Sequence, residues 1–159
     1  MKPYRRNVGV VVFNSRGQVL AGERYQSSGR ALQFPQGGLD DGEAPLAGAR
    51  RELYEETGLQ MQGEPVAELA GWLRYDFPPD VPEKLQRYQG QEQKWFFYYW
   101  DGAPESLPLD HHEREFERLL WSDFREVAAN IVAFKRQVYA TLLRQGEAII
   151  AAHLRAMQS

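Results

Sequence analysis

The chain begins with a β-branched apolar run, Asn7 to Phe13, then the turn residues NSRG, then a second run from Gln18 to Tyr25. That order predicts a hairpin. A short strand is expected near Leu32–Phe34, ended by Pro35, which has no N–H for a ladder. From about Ala44 to Thr57, Leu46, Ala49 and Leu53, with Tyr54 beside them, recur at helical spacing. Pro45 suits the first turn of that helix and Gly58 the position just past its end. Gly48 inside it costs ~1 kcal/mol relative to Ala, which close packing against a neighbour would explain. Val66 to Tyr75 reads as another strand, and FPPDVPEKLQRYQGQEQ as a proline-rich loop. KWFFYYW (94–100) is too apolar to alternate, so both of its faces are expected to be covered. Leu119 to Ser122 suits a short strand, and Val132 to Met157 one long closing helix. Strands interleaved with helices predict an α/β layered fold with a mixed sheet between helices. No linker or repeat divides residues 1–159, so one domain is expected.

Composition narrows the class. Apolar residues make up 43% and charged residues 26%, the balance of a globular chain able to bury a core. There is no cysteine, which excludes disulfides and thiolate metal sites and fits a reducing compartment. The opening MKPYRRNVGVVVF places basic residues before an apolar run, but Val8 to Phe13 is too short for a signal peptide or a membrane span. A cytoplasmic protein without membrane attachment is expected. The net charge of −3 is unevenly spread: residues 1–30 carry six Lys and Arg against one Glu, and 101–130 carry eight acids against three bases. Basic ends around an acidic middle suit an anionic ligand held partly through cations, or else simply a patchy solvated surface.

The strongest local signal is GGLDDGEAPLAGARRELYEETGL, residues 37–59. Glu52, Glu55 and Glu56 stand at i, i+3 and i+4, so they share one helix face opposite Leu46 and Leu53. Like charges at that spacing destabilise a helix. Three glutamates on a helix are commonly a solvated face. Converging carboxylates with only oxygen donors also suit a hard cation such as Mg²⁺ or Mn²⁺. The histidines, His111, His112 and His153, lie elsewhere, and the first two read as loop residues.

Read from Gly37, the residues run Gly, five others, Glu43, seven others, Arg51-Glu52-Leu53, one other, Glu55-Glu56, one other, Gly58-Leu59. This resembles the signature of the Nudix hydrolases at every fixed position. The resemblance implies an α/β/α sandwich, hydrolysis of a nucleoside diphosphate linked to another group, and divalent metal on the acidic helix, with two or more ions when substrate is present. Glu52, Glu55 and Glu56 match the metal ligands, Glu56 often leading. Arg51 and Glu43 match residues that orient them, and Gly37 and Gly38 match the loop-to-helix approach.

QFPQGG (33–38), WLRYDFPPDV (72–81), GQEQKWF (90–96) and VAFKRQVY (132–139) are similar to one branch of that family. It holds bacterial RNA 5′-pyrophosphohydrolases and plant-type asymmetric diadenosine tetraphosphate hydrolases. The likeness runs from about Tyr4 to Leu143. It implies terminal-phosphate contacts for Arg5, a substrate contact for Arg24, and a place near the first base or phosphate for Phe134 and Lys135. Gln36 belongs to the QFPQGG segment and is expected at the substrate. Glu115 matches a late loop glutamate that adds a metal ligand or base. Tyr75, Lys84 and Tyr88 fall where plant-type enzymes hold phosphate and stack adenine. Each of these has an ordinary alternative: surface arginines, a solvated lysine, core aromatics.

The expected substrate is therefore a 5′-triphosphorylated RNA end or a dinucleoside polyphosphate; no protein partner is indicated. A binding domain without turnover would ordinarily lack one of the acids, and here all are present. Some RNA enzymes of this branch end in a basic tail. This chain ends at Ser159 with a sequence pI of about 5.7, so weaker non-specific attraction to RNA is expected.

Overall fold

The computed structural model describes residues 1–26, 29–109 and 115–159, so His111 and His112 lie outside the described residues. Two long parallel strands form its centre. β1 (Tyr4–Phe13) and the strand Gly90–Tyr99 run side by side from the pair Tyr4 and Gly90 to the pair Phe13 and Tyr99. In chain order the strands are β1, β2 (Val19–Gln26), β3 (Gly29–Gln33), β4 (Gln36–Gly38), β5 (Ala67–Glu68), β6 (Leu73–Asp76), β7 (Gly90–Tyr99) and β8 (Arg118–Ser122). β2 pairs with β1 only at the hairpin end and runs antiparallel to β3 and β8. β4 lies antiparallel to β1, and β5 and β6 antiparallel to β7. The sheet is thus mixed.

Side-chain alternation divides its core into two layers. Val8, Val10 and Val12 of β1 and Phe96 and Tyr98 of β7 face α1 (Pro45–Thr57), where they meet Ala49 and Leu53. Val11, Phe13, Trp95 and Phe97 face α2 (Phe124–Ala129) and α3 (Arg136–Met157), meeting Phe124, Val127, Val138, Tyr139 and Leu142. Both faces of β7 are covered, as its unbroken apolar run predicts. Each such side chain, fully removed from water, contributes about 1.5–3 kcal/mol.

α1 starts at Pro45, and Ala44 before it offers no side-chain cap. Its end is fixed by Gly58 at φ +80°, whose N–H donates to the Tyr54 carbonyl at 2.8 Å. That left-handed turn disfavours a side chain. A Cβ on Gly48 would lie 2.4 Å from Leu39 Cδ2, so close packing does account for this glycine.

The short strand expected near Leu32–Phe34 is β3, which does end before Pro35, at Gln33; beyond the proline the chain pairs with β1 rather than β2, as β4. Three expectations are corrected. Val66 to Tyr75 is not one strand: pairing stops after Glu68 and resumes at Leu73, with Gly71 at φ +74° between them. The closing helix begins at Arg136, after a single 3₁₀ turn at Ala133–Lys135, and α2 precedes it, capped by Asp123 accepting from the Arg125 N–H at 2.9 Å. Tyr54 is exposed, not part of the apolar side of α1.

Candidate active site

β4 and α1 build the site by close approach. The Gln36 N–H donates to Glu56 Oε2 at 2.9 Å, tying the start of β4 to the last turn of the helix. A Cβ on Gly37 would fall 2.1 Å from the Glu52 carboxyl carbon. One on Gly38 would fall 2.1 Å from Arg5 Nη2. These two glycines therefore leave room for one acid and one base to reach the same cleft.

Arg51 straps the acidic helix. Its Nη1 lies 2.8 Å from Glu52 and 3.2 Å from Glu55, its Nε and Nη2 each lie 2.9 Å from a Glu43 oxygen, and Nη2 also donates to the Gly38 carbonyl. Hydrogen bonding from Arg51 holds Glu43 below its ordinary pKa, and the acids together push that of Arg51 upward. Burial raises Glu52, with Arg51 opposing. Glu56, buried at 7% exposure, is pushed well above the usual carboxylate range by burial first, with Glu52 and Glu115 adding to it.

Four carboxylates, Glu52, Glu55, Glu56 and Glu115, line one cleft of about 260 Å³ together with Arg5, Gln36, Gly37 and Gly38. All their donors are oxygens, the set a hard divalent cation prefers. Among the described residues no three carboxylates are gathered tightly enough to cage an ion as they stand. The cause is visible: Arg51 draws Glu52 and Glu55 to itself, while Glu56 is tied back to Gln36. The residues fit the metal chemically; bringing them onto an ion requires these bonds to loosen.

The cleft opens into a cavity of about 560 Å³ with which it shares Arg5, Gln36, Gly37, Glu56 and Glu115. Arg24, Lys84 and Arg87 add positive charge, and Asn7, Gln33, Leu85, Tyr88 and Gln91 complete the wall. Arg24 Nη1 stands 3.8 Å from Glu115 Oε2, both side chains partly exposed. The sequence reading thus named Arg5, Arg24, Gln36, Gly37, Lys84, Tyr88, Glu56 and Glu115, and all of them line this space.

Tyr75, Phe134 and Lys135 do not line it. Tyr75 is a core residue at 6% exposure, packed on Phe77 and Phe134, its hydroxyl accepting from Gln91. Phe134 is half-exposed against that ring. Lys135 is buried with its Nζ 5.7 Å from the centre of the Tyr75 ring; burial first, then Arg24, lowers its pKa to about 8, although Glu56 and Glu115 oppose this. Asn7, Gln33, Leu85, Arg87 and Gln91 were not singled out from the sequence. The stretch GQEQ hinted at Gln91, and Arg87 sits in the proline-rich loop beside Tyr88; their positions depend on which strands pair.

No helix among the described residues is long and apolar enough to cross a membrane. Comparison with known proteins agrees with the geometry. A protein of Roseobacter denitrificans named RNA pyrophosphohydrolase is 44% identical over 92% of this chain and 93% of its own. One of Bartonella bacilliformis with the same name is 38% identical over 93% of this chain and 94% of its own. Among solved structures, the MutT protein from Methanosarcina mazei superposes with a TM-score of 0.64 at 18% identity, covering 91% of this chain and 96% of that one, which is a likeness of fold. The NUDIX domain family matches residues 3–142. Since that match runs from the first strand into the last helix and takes in every carboxylate of the cleft, the chain belongs to the Nudix family.

Proposed function

We propose that this protein is a metal-dependent pyrophosphohydrolase that removes pyrophosphate from the 5′ end of triphosphorylated RNA in the cytoplasm. Relatives sharing 38–44% of its residues over nearly their whole length carry the name RNA pyrophosphohydrolase. One observation carries the reading: a cavity of about 560 Å³ whose cationic wall, Arg5, Arg24, Lys84 and Arg87, faces the carboxylates Glu56 and Glu115. Such a wall suits a polyanion, and a polyanion can approach carboxylates only across cations.

Glu52, Glu55, Glu56 and Glu115 would hold Mg²⁺ or Mn²⁺. The ion, when bound, neutralises phosphoryl oxygens and lowers the pKa of water. The chain's own residues do the rest. Arg5 and Arg24 hold phosphate through charge-assisted hydrogen bonds. Arg51 holds Glu43, Glu52 and Glu55 around one guanidinium and orients them. A carboxylate of Glu115 or Glu56 accepts the proton of the water that breaks the anhydride, leaving a 5′-monophosphate and pyrophosphate.

Tyr88 favours a second reading. It lines the same cavity beside Leu85 and offers an aromatic ring to a second base, as a dinucleoside polyphosphate would need. The deciding assay measures kcat/KM for triphosphorylated RNA and for diadenosine tetraphosphate with each metal, with products identified. Release of pyrophosphate from RNA at a rate comparable with the dinucleotide supports the first reading. Turnover of every RNA more than about a hundredfold slower overturns it.

A further inference from the structure

A row of four amides runs along the cavity wall: Asn7, Gln36 and Gln91 line the cavity, and Gln93 is buried next to them. Asn7 and Gln93 are register partners on the parallel strands β1 and β7, and both are buried. Gln93 Oε1 accepts from Trp95 Nε1 at 3.3 Å. Its Nε2 donates to Asn7 Oδ1 at 2.9 Å and to Gln36 Oε1. Asn7 Nδ2 in turn donates to Gln91 Oε1 at 3.1 Å, and Arg5 Nη1 donates to the same oxygen at 2.9 Å.

The two ends of this row are donors that cannot accept: an indole N–H and a guanidinium. That removes the ambiguity an amide otherwise has. With Trp95 donating, Gln93 must turn its oxygen inward and its NH₂ toward Asn7 and Gln36. Asn7 must then present oxygen to Gln93 and NH₂ to Gln91. Gln91 must present oxygen to Asn7 and Arg5. Every bond agrees with both ends, so one arrangement satisfies the whole row.

Asn7, Gln36 and Gln91 all line the cavity, and of these amides Gln36 also lines the carboxylate cleft. With its Oε1 accepting from Gln93, its NH₂ is the part of the amide available as a donor. Were Gln36 to flip, it would offer a carbonyl to phosphates and repel them. We infer that Gln93 is a positioning residue: through its N–H bond to Gln36 Oε1 it fixes the Gln36 amide as a phosphate donor. The inference rests on the proposed function only in taking the ligand to be a polyphosphate.

A double-mutant cycle on triphosphorylated RNA tests it. Gln93→Met keeps length and removes both donors. Gln93→Glu keeps the acceptor for Trp95 and supplies at most one proton where two acceptors wait, in either protonation state. Each is combined with Gln36→Ala. Losing an oriented hydrogen bond to a charged group corresponds to about ten- to a hundredfold. Each single change should therefore lower kcat/KM by about tenfold, mostly through KM. The double should fall little further, since Gln93 acts through Gln36. Thermal unfolding is followed alongside, and the Glu variant serves if the Met variant does not fold. Activity of a folded Gln93 variant within twofold of wild type overturns the inference, as does full multiplication of the two losses in the double. If wild type leaves RNA intact but cleaves the dinucleotide, only the substrate reading fails, and the cycle is run on diadenosine tetraphosphate with the same criteria.

Discussion

Arg51 grips Glu43 with two nitrogens, Nε and Nη2, each 2.9 Å from a different carboxylate oxygen. Such a fork fixes direction as well as distance, and it aims the third nitrogen between Glu52 and Glu55. Lysine has one charged nitrogen and no fork. Arg51→Lys should lower stability by about 1–3 kcal/mol through the bonds left unmade and reduce kcat by about tenfold or more. Thermal unfolding with and without Mg²⁺, beside initial rates, checks this. Unchanged values in both would show that the strap is dispensable.

Glu56→Gln keeps size and the acceptor for the Gln36 N–H but removes a negative charge from the proposed metal set. We expect kcat to drop by at least about 10² with the fold intact. Turnover close to wild type would remove Glu56 from the metal set.

The same variant makes a pH prediction. Because burial raises Glu56 and Glu52, the folded protein binds protons there more readily than the unfolded chain. Their contribution to stability is fullest below the ordinary carboxylate value of about 4.3 and declines as pH rises through it toward the raised folded value. In chelator at neutral pH, Glu56→Gln should therefore melt above wild type, by about 2–4 °C for each kcal/mol relieved. The gap should close as pH falls toward 4. A mutant that melts lower than wild type at neutral pH in chelator contradicts the assignment.

Arg5 and Gly38 make a linked pair. Arg5→Ala should reduce kcat/KM by about ten- to a hundredfold, the worth of a charge-assisted contact to phosphate. Gly38→Ala forces the guanidinium aside, because the new methyl would overlap Nη2. It should raise KM on its own and add little to Arg5→Ala. Equal, independent losses would mean that the methyl disturbs something other than Arg5.

RNA recognition confined to this cavity should be local. On single strands the salt slope grows by ~0.7 per phosphate contacted. A site holding only terminal phosphates should show a shallow slope, with two-, four- and twenty-nucleotide RNAs close in kcat/KM. A steep slope that grows with RNA length would place a second, backbone-tracking surface on the protein.

The acidic box was legible in the sequence because its geometry is local. Glu52, Glu55 and Glu56 share a face through helix pitch alone, and Pro45 and Gly58 mark the ends of that helix through their own backbone preferences. The two sheet faces of β7 were legible too, since the six apolar residues from Trp95 to Trp100 leave no polar side to expose. The break at Gly71 and the turn before Arg136 were not. There a positive φ or a 3₁₀ turn outweighs a continuous apolar pattern, and the pattern does not record it. The Arg51–Glu55 bond is an i,i+4 contact that spacing allows, but spacing could not show that Glu56 is buried, which depends on β4 folding over the helix end. Pleat and pairing likewise put the Tyr75 ring in the core and the Gln91 amide at the cavity, which spacing does not record. Asn7 and Gln93 are 86 residues apart in the chain and bonded in space. Only the parallel register of β1 and β7 brings them together. Composition and periodicity specify which residue types a strand carries, whereas hydrogen bonding between distant strands decides which of them meet.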